Sequence, residues 1–448
     1  MKKLIALLTL FLFSGLTAQN TLTLNEAISI ALQRNSNLIK SKNNIQANES
    51  RLKNAYGELL PDFNLRGSWN WRRVEDDGGA KITDFFGRES IQPSSKTDTR
   101  SYSLSAGGSV VLFNGLSNLA NISQKKNDLE AAQLSLEKLK QDITYQTINL
   151  YYAVLNAKEL VQVRKDNLKF NQKLLEDIQE RNKVGSVAIA DVYTQQVQFG
   201  NAQLALIKAQ NDFENAKSNL LNFLALDVLK DYDFENPNPK LSTKKTNSII
   251  DEFGNIEQMV NFALRNRKDY KSQMLSLSSA QKGLTIARGN YFPSLSGDYS
   301  FSASATKPDD VFKHRVWSVG LSLNFPIFSN WRTENQTQLA KVQIENVKED
   351  LTALERQIKI DIKQGYLDLL AAKKKLDVST SNVKSAEENR KINQERYRLG
   401  SGTILDILQA DKDYTQAQSD KINAEYQYYQ LRDKLINSLG KLEIKKYE

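Results

Sequence analysis

Cysteine is absent from this chain of 448 residues. That excludes a disulfide framework, a thiolate metal site, a cysteine nucleophile and an N-terminal lipid carried on cysteine. Histidine occurs once, as His314, so zinc peptidase and histidine-based triad chemistries lack their residues, and the spacing of a phosphate loop is missing as well. Proline (7) and glycine (20) are scarce. Long stretches without either leave helices free to run on. Long hydrophobic runs are lacking too: the one candidate, Leu4 to Leu16, has 13 residues, short of the roughly 20 that a spanning helix needs.

What is there begins with a leader-like start. Lys2 and Lys3 precede the apolar run and Leu-Thr-Ala stands before Gln19, the three-part layout of a secretory signal over residues 1–18. The formal charge is +9, or +7 without Lys2 and Lys3 (59 Lys and Arg against 52 Asp and Glu). Lys and Arg are interspersed with Asp and Glu along helical segments. This reads as a solvated surface rather than a nucleic-acid footprint, which an exported protein rarely needs.

The chain contains itself twice. Glu180 to Asp191 reads ERNKVGSVAIAD and Glu395 to Asp406 reads ERYRLGSGTILD, six of twelve identical at an offset of 215 residues. The same offset joins Phe113 to Phe328, Tyr151 to Tyr366, Ala202 to Ala417 and Leu220 to Leu435. An internal duplication sets the domain plan: a first repeat over 19–224, a linker over 225–254 holding Pro237 and Pro239, a second repeat over 255–440 and a tail over 441–448.

Within each repeat the period of the apolar residues changes. Leu22 to about Leu60 and Ile256 to Asn290 are helical in pattern, and Pro61 and Pro293 end them. Two alternating segments then form a hairpin over 62–113, and two more over 293–326, while residues 73–98 read as a long polar loop. From Leu116 to about Arg181 there is neither proline nor glycine, and Ile122, Leu129, Leu136, Ile143 and Leu150 recur by sevens. Such a strict heptad predicts a left-handed coiled coil about 100 Å long. Gly185 and Gly400, within turns at 182–190 and 398–405, stand where a helix end takes a left-handed residue. A second helix returns after each.

The strands carry a constraint. Phe63, Leu65, Trp69 and Trp71 alternate with Asn64, Arg66, Ser68 and Asn70, and Trp317, Val319, Leu321 and Leu323 with Ser318, Gly320, Ser322 and Asn324. A soluble sheet lying on a core alternates in the same way. The polar faces are hydrophilic and, Arg66 apart, small, however, as a water-filled lumen requires. In lipid every edge must pair, and closure takes about eight strands or more. Four strands therefore have to be pooled among chains, and three chains give twelve. Trp69, Trp71, Trp317 and Phe328 near strand ends fit interfacial girdles.

This order, with the turns VGSVAIADV and RYRLGSGTILDIL at matching positions, resembles the TolC-type outer membrane efflux protein family over essentially all of the mature chain. The resemblance implies a mainly α protein with a small β part: two tandem repeats of long coiled-coil hairpins and four transmembrane strands per chain. As a homotrimer these form a twelve-stranded β-barrel in outer membrane lipid and an α-helical tunnel in the periplasm. It implies a passive duct of a tripartite efflux or type I secretion system, opened at its periplasmic tip by an adaptor (membrane fusion) protein serving an inner-membrane pump of RND or ABC type. No catalytic residue, cofactor or metal is implied. Carried over by position, Gly185, Ser186, Gly400 and Ser401 match the turns that meet the adaptor. Asp191 matches an acid that ties neighbouring coils in the closed state, Tyr397 its partner, and Asp406 an acid at the narrow entrance. Gly402 stands where many relatives carry a basic residue and Gln409 where they carry a second entrance acid, so both gate and entrance charge are expected to be weaker. A soluble secreted coiled-coil scaffold or adhesin is the alternative.

Bland readings compete at single residues. Asp406 lies three residues after Thr403, a capping-box spacing, whereas Ala188 gives Asp191 no such excuse. Arg181 and Arg396 suit helix C-termini. Tyr151 and Tyr366 read as packing, and Asp76, Asp77, Asp309 and Asp310 as solvated loop acids.

Overall fold

The computed structural model describes residues 20–236 and 255–442. The expected signal (1–18), the proline-bearing part of the expected linker and the end of the tail (443–448) lie outside the described residues. Mainly helical, the chain runs through α1 (Leu24–Arg34), α2 (Ser36–Gly57), α3 (Ser117–Lys183) and α4 (Ile189–Phe223), then α5 (Ile256–Asn266), α6 (Lys268–Gly289), α7 (Arg332–Arg398) and α8 (Ile404–Ser438). The helix lengths are 11, 22, 67 and 35 residues in the first set and again in the second.

The single helices expected over 22–60 and 256–290 are each broken once. Asn35 turns extended (φ −63°, ψ 122°), closing α1 through its amide to Ala31 while its side-chain oxygen accepts from the amide of Asn37 (2.9 Å) and opens α2. Arg267 does the same in the second half (φ −61°, ψ 128°). Its buried guanidinium is held by Asp269 (2.7 Å) and Asp361 (3.5 Å). Neither break has a proline or glycine to announce it.

By contact density the chain forms two compact units. One holds Asn43–Leu134 and Lys271–Ala353, and with them the four-stranded antiparallel sheet β2 (Asn64–Asp76), β5 (Ser95–Asn114), β7 (Ser294–Ala305) and β8 (Arg315–Asn324), in the order β2-β5-β7-β8. The register puts Leu65 beside Ala106, Ala106 beside Phe301 and Phe301 beside Trp317, so one face is apolar. The other face carries Arg66, Ser105, Ser302 and their neighbours, with Ser68 and Ser103 hydroxyls 2.6 Å apart. Much of the expected loop 73–98 is strand: Arg73 pairs with Asp98 (2.8 Å) and Lys96 with Glu75 (3.5 Å) across β2 and β5. Charged residues thus continue the ladder after the apolar alternation stops. Short strands β3 (Lys81–Thr83) and β4 (Glu89–Ile91) fill the rest.

The other unit holds the residues up to Lys42, Ser135–Tyr270 and Leu354 onward. There α3 lies against α8 through Asn156 to Asn423 (3.1 Å) and Glu159 to Tyr426 (2.7 Å), and α7 against α8 through Lys375 to Gln427 (2.9 Å). β1 (Asn20–Leu22) pairs in parallel with β6 (Tyr232–Phe234), and the buried Tyr151 hydroxyl reaches the carbonyls of Leu22 (2.8 Å) and Glu235 (2.6 Å). Tyr151 is therefore a fastening for the ends of the first half.

Candidate functional site: the two interhelical turns

The turns after α3 and α7 are made by the same bonds. The amide of Gly185 donates to the carbonyl of Asn182 (2.9 Å) and that of Ser186 to Arg181 (2.9 Å), while Gly400 donates to Tyr397 (3.1 Å) and Ser401 to Arg396 (2.9 Å). This is the Schellman ending, which places a left-handed residue at the glycine. Accordingly φ is 75° at Gly185 and 73° at Gly400. A side-chain carbon at either position would meet nothing within 4 Å, so backbone conformation selects glycine there. Ser186 and Ser401 donate their hydroxyls to the carbonyls of Arg181 (3.0 Å) and Arg396 (3.1 Å). Both turns thus present glycine and a fastened serine to solvent.

Where the next helices start, the turns part company. Thr403 caps α8 in a full capping box: its hydroxyl accepts from the amide of Asp406 (3.3 Å), and Asp406 Oδ2 accepts from the Thr403 amide (2.9 Å) and hydroxyl (2.9 Å). Those bonds hold the Asp406 carboxyl below its ordinary range, so it stays ionised. Ala188 gives α4 no side-chain cap. Asp191 is half-buried in the first turn of α4.

Tyr397 ends α7 inside an apolar cluster of Leu174, Ile178, Val192, Ile404 and Ile407. It is 9% exposed, and its hydroxyl is buried with no hydrogen-bond partner. Burial pushes the phenol up; the Arg181 guanidinium, 5.3 Å from the ring, opposes that, and the Asp191 and Asp177 charges add to it. Asp191 and Tyr397 are therefore electrostatic neighbours within one chain without a hydrogen bond joining them. Gly402 fits closely, since a side-chain carbon there would come 3.2 Å from Arg396. Gln409 donates to Asp413 (2.7 Å).

Sequence reasoning missed a polar knot behind the second turn. Asp411 is 3% exposed. Its Oδ2 accepts from Asn167 (2.7 Å) and Asn171 (3.4 Å), and Arg390 Nε stands 3.3 Å from Oδ1 without hydrogen-bond alignment. The Arg390 guanidinium lies between the rings of Phe170 (4.3 Å) and Tyr414 (4.7 Å). Gln195 completes the knot on Asn171 (2.9 Å). Burial outweighs Arg390 and the amides, and pushes the Asp411 carboxyl up to about 6. A groove of about 730 Å³ runs past Asp406, Gln409 and Asp411 between α3, α4 and α8. The signal was there to find: Asp411 continues the apolar stripe of Ile404 and Ile407 at helical spacing.

The remaining expected site residues lie in the strand unit. Trp69, Trp71 and Trp317 stand exposed on the apolar face of the sheet, and Phe328, also exposed, meets Trp331 edge-on (6.0 Å). Among the described residues no helix is long and apolar enough to cross a membrane, and no three His, Cys, Asp or Glu side chains group as a metal site.

Compared with known proteins, residues 27–226 and 259–441 match the family described as Outer membrane efflux protein. The sequence is 24% identical over 322 residues to Outer membrane protein TolC of Escherichia coli, covering 67% of this chain and 62% of that one. It is 21% identical over 448 residues to Outer membrane efflux protein BepC of Brucella suis, covering 98% and 91%. The fold is similar to that of the Campylobacter jejuni CmeC outer membrane channel, with a TM-score of 0.78 at 18% identity over 95% of this chain and 89% of that one.

Proposed function

The chain belongs to the outer membrane efflux protein family, and from that premise we propose that it is a passive trimeric export duct. Three copies, each of two tandem repeats, close twelve strands into an outer membrane barrel, and α3 and α7, about 100 Å each, line a periplasmic tunnel. The observation that carries this is the four-stranded sheet. Its outward face bears Trp69, Trp71, Trp317 and Leu321 in the open, and the edges β2 and β8 have no strand partner within the described chain. Bare edges and a bare apolar face are untenable in lipid unless neighbours close the wall, and a soluble scaffold would expose both to water.

At the tip, an adaptor serving an RND or ABC pump meets Gly185, Ser186, Gly400 and Ser401. It opens the duct by binding the open arrangement better than the closed one. The unpartnered Tyr397 hydroxyl beside Asp191 supports a bond that is made in one arrangement only, and ionised Asp406 carries negative charge at the entrance. Two experiments test the reading. Fractionation should place the protein in the outer membrane as a detergent-extracted trimer; a soluble monomer would sink the proposal. Asp191→Ala should raise single-channel conductance in a planar bilayer, and unchanged conductance removes Asp191 from the gate.

A further inference from the structure

Within the strand unit the two halves obey one rule. Moving β5 and α3 by 215 residues gives β8 and α7, and moving α2 and β2 by 232 gives α6 and β7, carrying Gly57 to Gly289 and Pro61 to Pro293. The rule holds for contacts as well as for sequence. Leu65 opposite Ala106 becomes Gly297 opposite Leu321, as observed. Asn121 donating to Glu58 (3.1 Å) becomes Gln336 meeting Asn290 (3.0 Å), also observed.

One set of contacts has no image among the described residues: that of β5 with β7 and of α3 with α6. There Ala106 faces Phe301 and Leu104 faces Ala303, Ser117 donates to the carbonyl of Ile286 (3.2 Å), and Asp128 accepts from Ser279 (2.7 Å). Gly289 is a glycine for a visible reason, since a side-chain carbon there would fall 1.9 Å from the Ser117 hydroxyl. Its counterpart Gly57 has none: φ is not positive, and nothing lies within 4 Å of where its side chain would be. Glycine inside a helix end is otherwise unfavourable. Leu339 and Val342 of α7 are exposed, whereas their images Gln124 and Asn127 are covered by α6.

We propose that the missing set is made between copies: β8 pairs with β2 of the neighbouring copy in the register Leu321 opposite Trp69 and Val319 opposite Trp71, and α7 packs on the neighbour's α2. This rests on the trimeric duct and specifies its seam. Transferring the β5–β7 register through the two offsets gives these pairs, and it keeps Trp317, Val319, Leu321 and Leu323 on the same face as Trp69 and Trp71. It sets Leu339 and Gln343 against Ala47 of the next copy, and Arg332 against Gly57, which accounts for that glycine. A slip by one residue would turn the apolar row of β8 inward.

The absence of native cysteine makes the test clean. Trp69→Cys with Leu321→Cys, in one chain, should oxidise to a covalent trimer on a non-reducing gel. Trp69→Cys with Leu323→Cys, two residues out of register, should cross-link at least tenfold less. Ala47→Cys with Gln343→Cys reads the helical half of the seam independently of the barrel. If the protein is a trimer by native mass but the shifted pair cross-links better, the register is overturned while the duct stands. A trimer in which neither the matched strand pair nor the helix pair cross-links overturns the seam. A monomer overturns the duct itself.

Discussion

Helices α4 and α8 have the same length, follow the same turn and differ in what they touch. α8 buries residues along its whole course, from Ile404 and Ile407 through Asp411, Thr415 and Ser419 to Tyr429 and Leu435, because α3 and α7 hold it from two sides. α4 buries far fewer, and Tyr193, Val197, Leu204 and Ile207 form an exposed apolar stripe on it at helical spacing. Chemistry follows that difference. The buried second helix carries Asp411, met by Arg390 of α7, where the first hairpin has exposed Gln196 and Leu175 at the equivalent positions. The two hairpins thus share helix lengths and a turn, while the packing around each second helix differs with the charge it holds.

That contrast can be broken by making the second hairpin like the first. Arg390→Leu copies Leu175 and strands the buried Asp411 without its cation, which should cost roughly 3–5 kcal/mol. The thermal midpoint of the purified protein reads this loss. Adding Asp411→Gln, the counterpart of Gln196, should recover most of it; failure to recover would mean that the guanidinium's packing between Phe170 and Tyr414 matters more than its charge.

Asp411→Asn is the next largest. The folded carboxyl titrates near 6 against an ordinary value of 3.8, so the folded state holds a proton that the unfolded chain has already lost. The stability this contributes is complete below the unfolded value and disappears as pH rises through about 6. Two pKa units correspond to about 3 kcal/mol. The variant should therefore gain up to that amount over the parent at pH 8 and nothing at pH 4. Midpoints measured at both values decide it: parallel pH profiles for parent and variant would contradict the burial argument.

The smallest effect sits at the caps. Thr403→Ala copies Ala188 and should lower stability by about 1 kcal/mol, while Ala188→Thr should gain less than that. The same substitution takes the Thr403 hydroxyl from Asp406 but leaves the Thr403 amide, so the carboxyl should move only part of the way toward its ordinary value by NMR. A carboxyl wholly back at its ordinary value in the variant would mean that the hydroxyl, not the amide, holds it low.

How far these features were legible depended on how local their causes are. Heptads and the glycines at 185 and 400 speak through neighbouring residues, so the long helices and both turns could be read directly. Arg267 ends a helix because Asp269 and Asp361 grip it, and Asp361 is far along the chain. Asp411 was missed although its cause is local: its phase with Ile404 and Ile407 marks it as buried, but an acid is expected in solvent. The strand extensions through Arg73 and Lys96 were hidden because their cross-strand partners are charges rather than apolar residues.

From the left-handed corner at Gly115 to the left-handed turn at Gly185 the chain counts 70 residues, and from Asn330 to Gly400 it counts 70 again. Deleting one residue from α3 would swing everything beyond it by about 100° and retract its turn by about 1.5 Å. Deleting seven keeps the face but leaves that turn about 10 Å short of its twin. A descendant that had to reach across a wider or narrower gap would need to edit α3, α4, α7 and α8 in concert, by whole heptads.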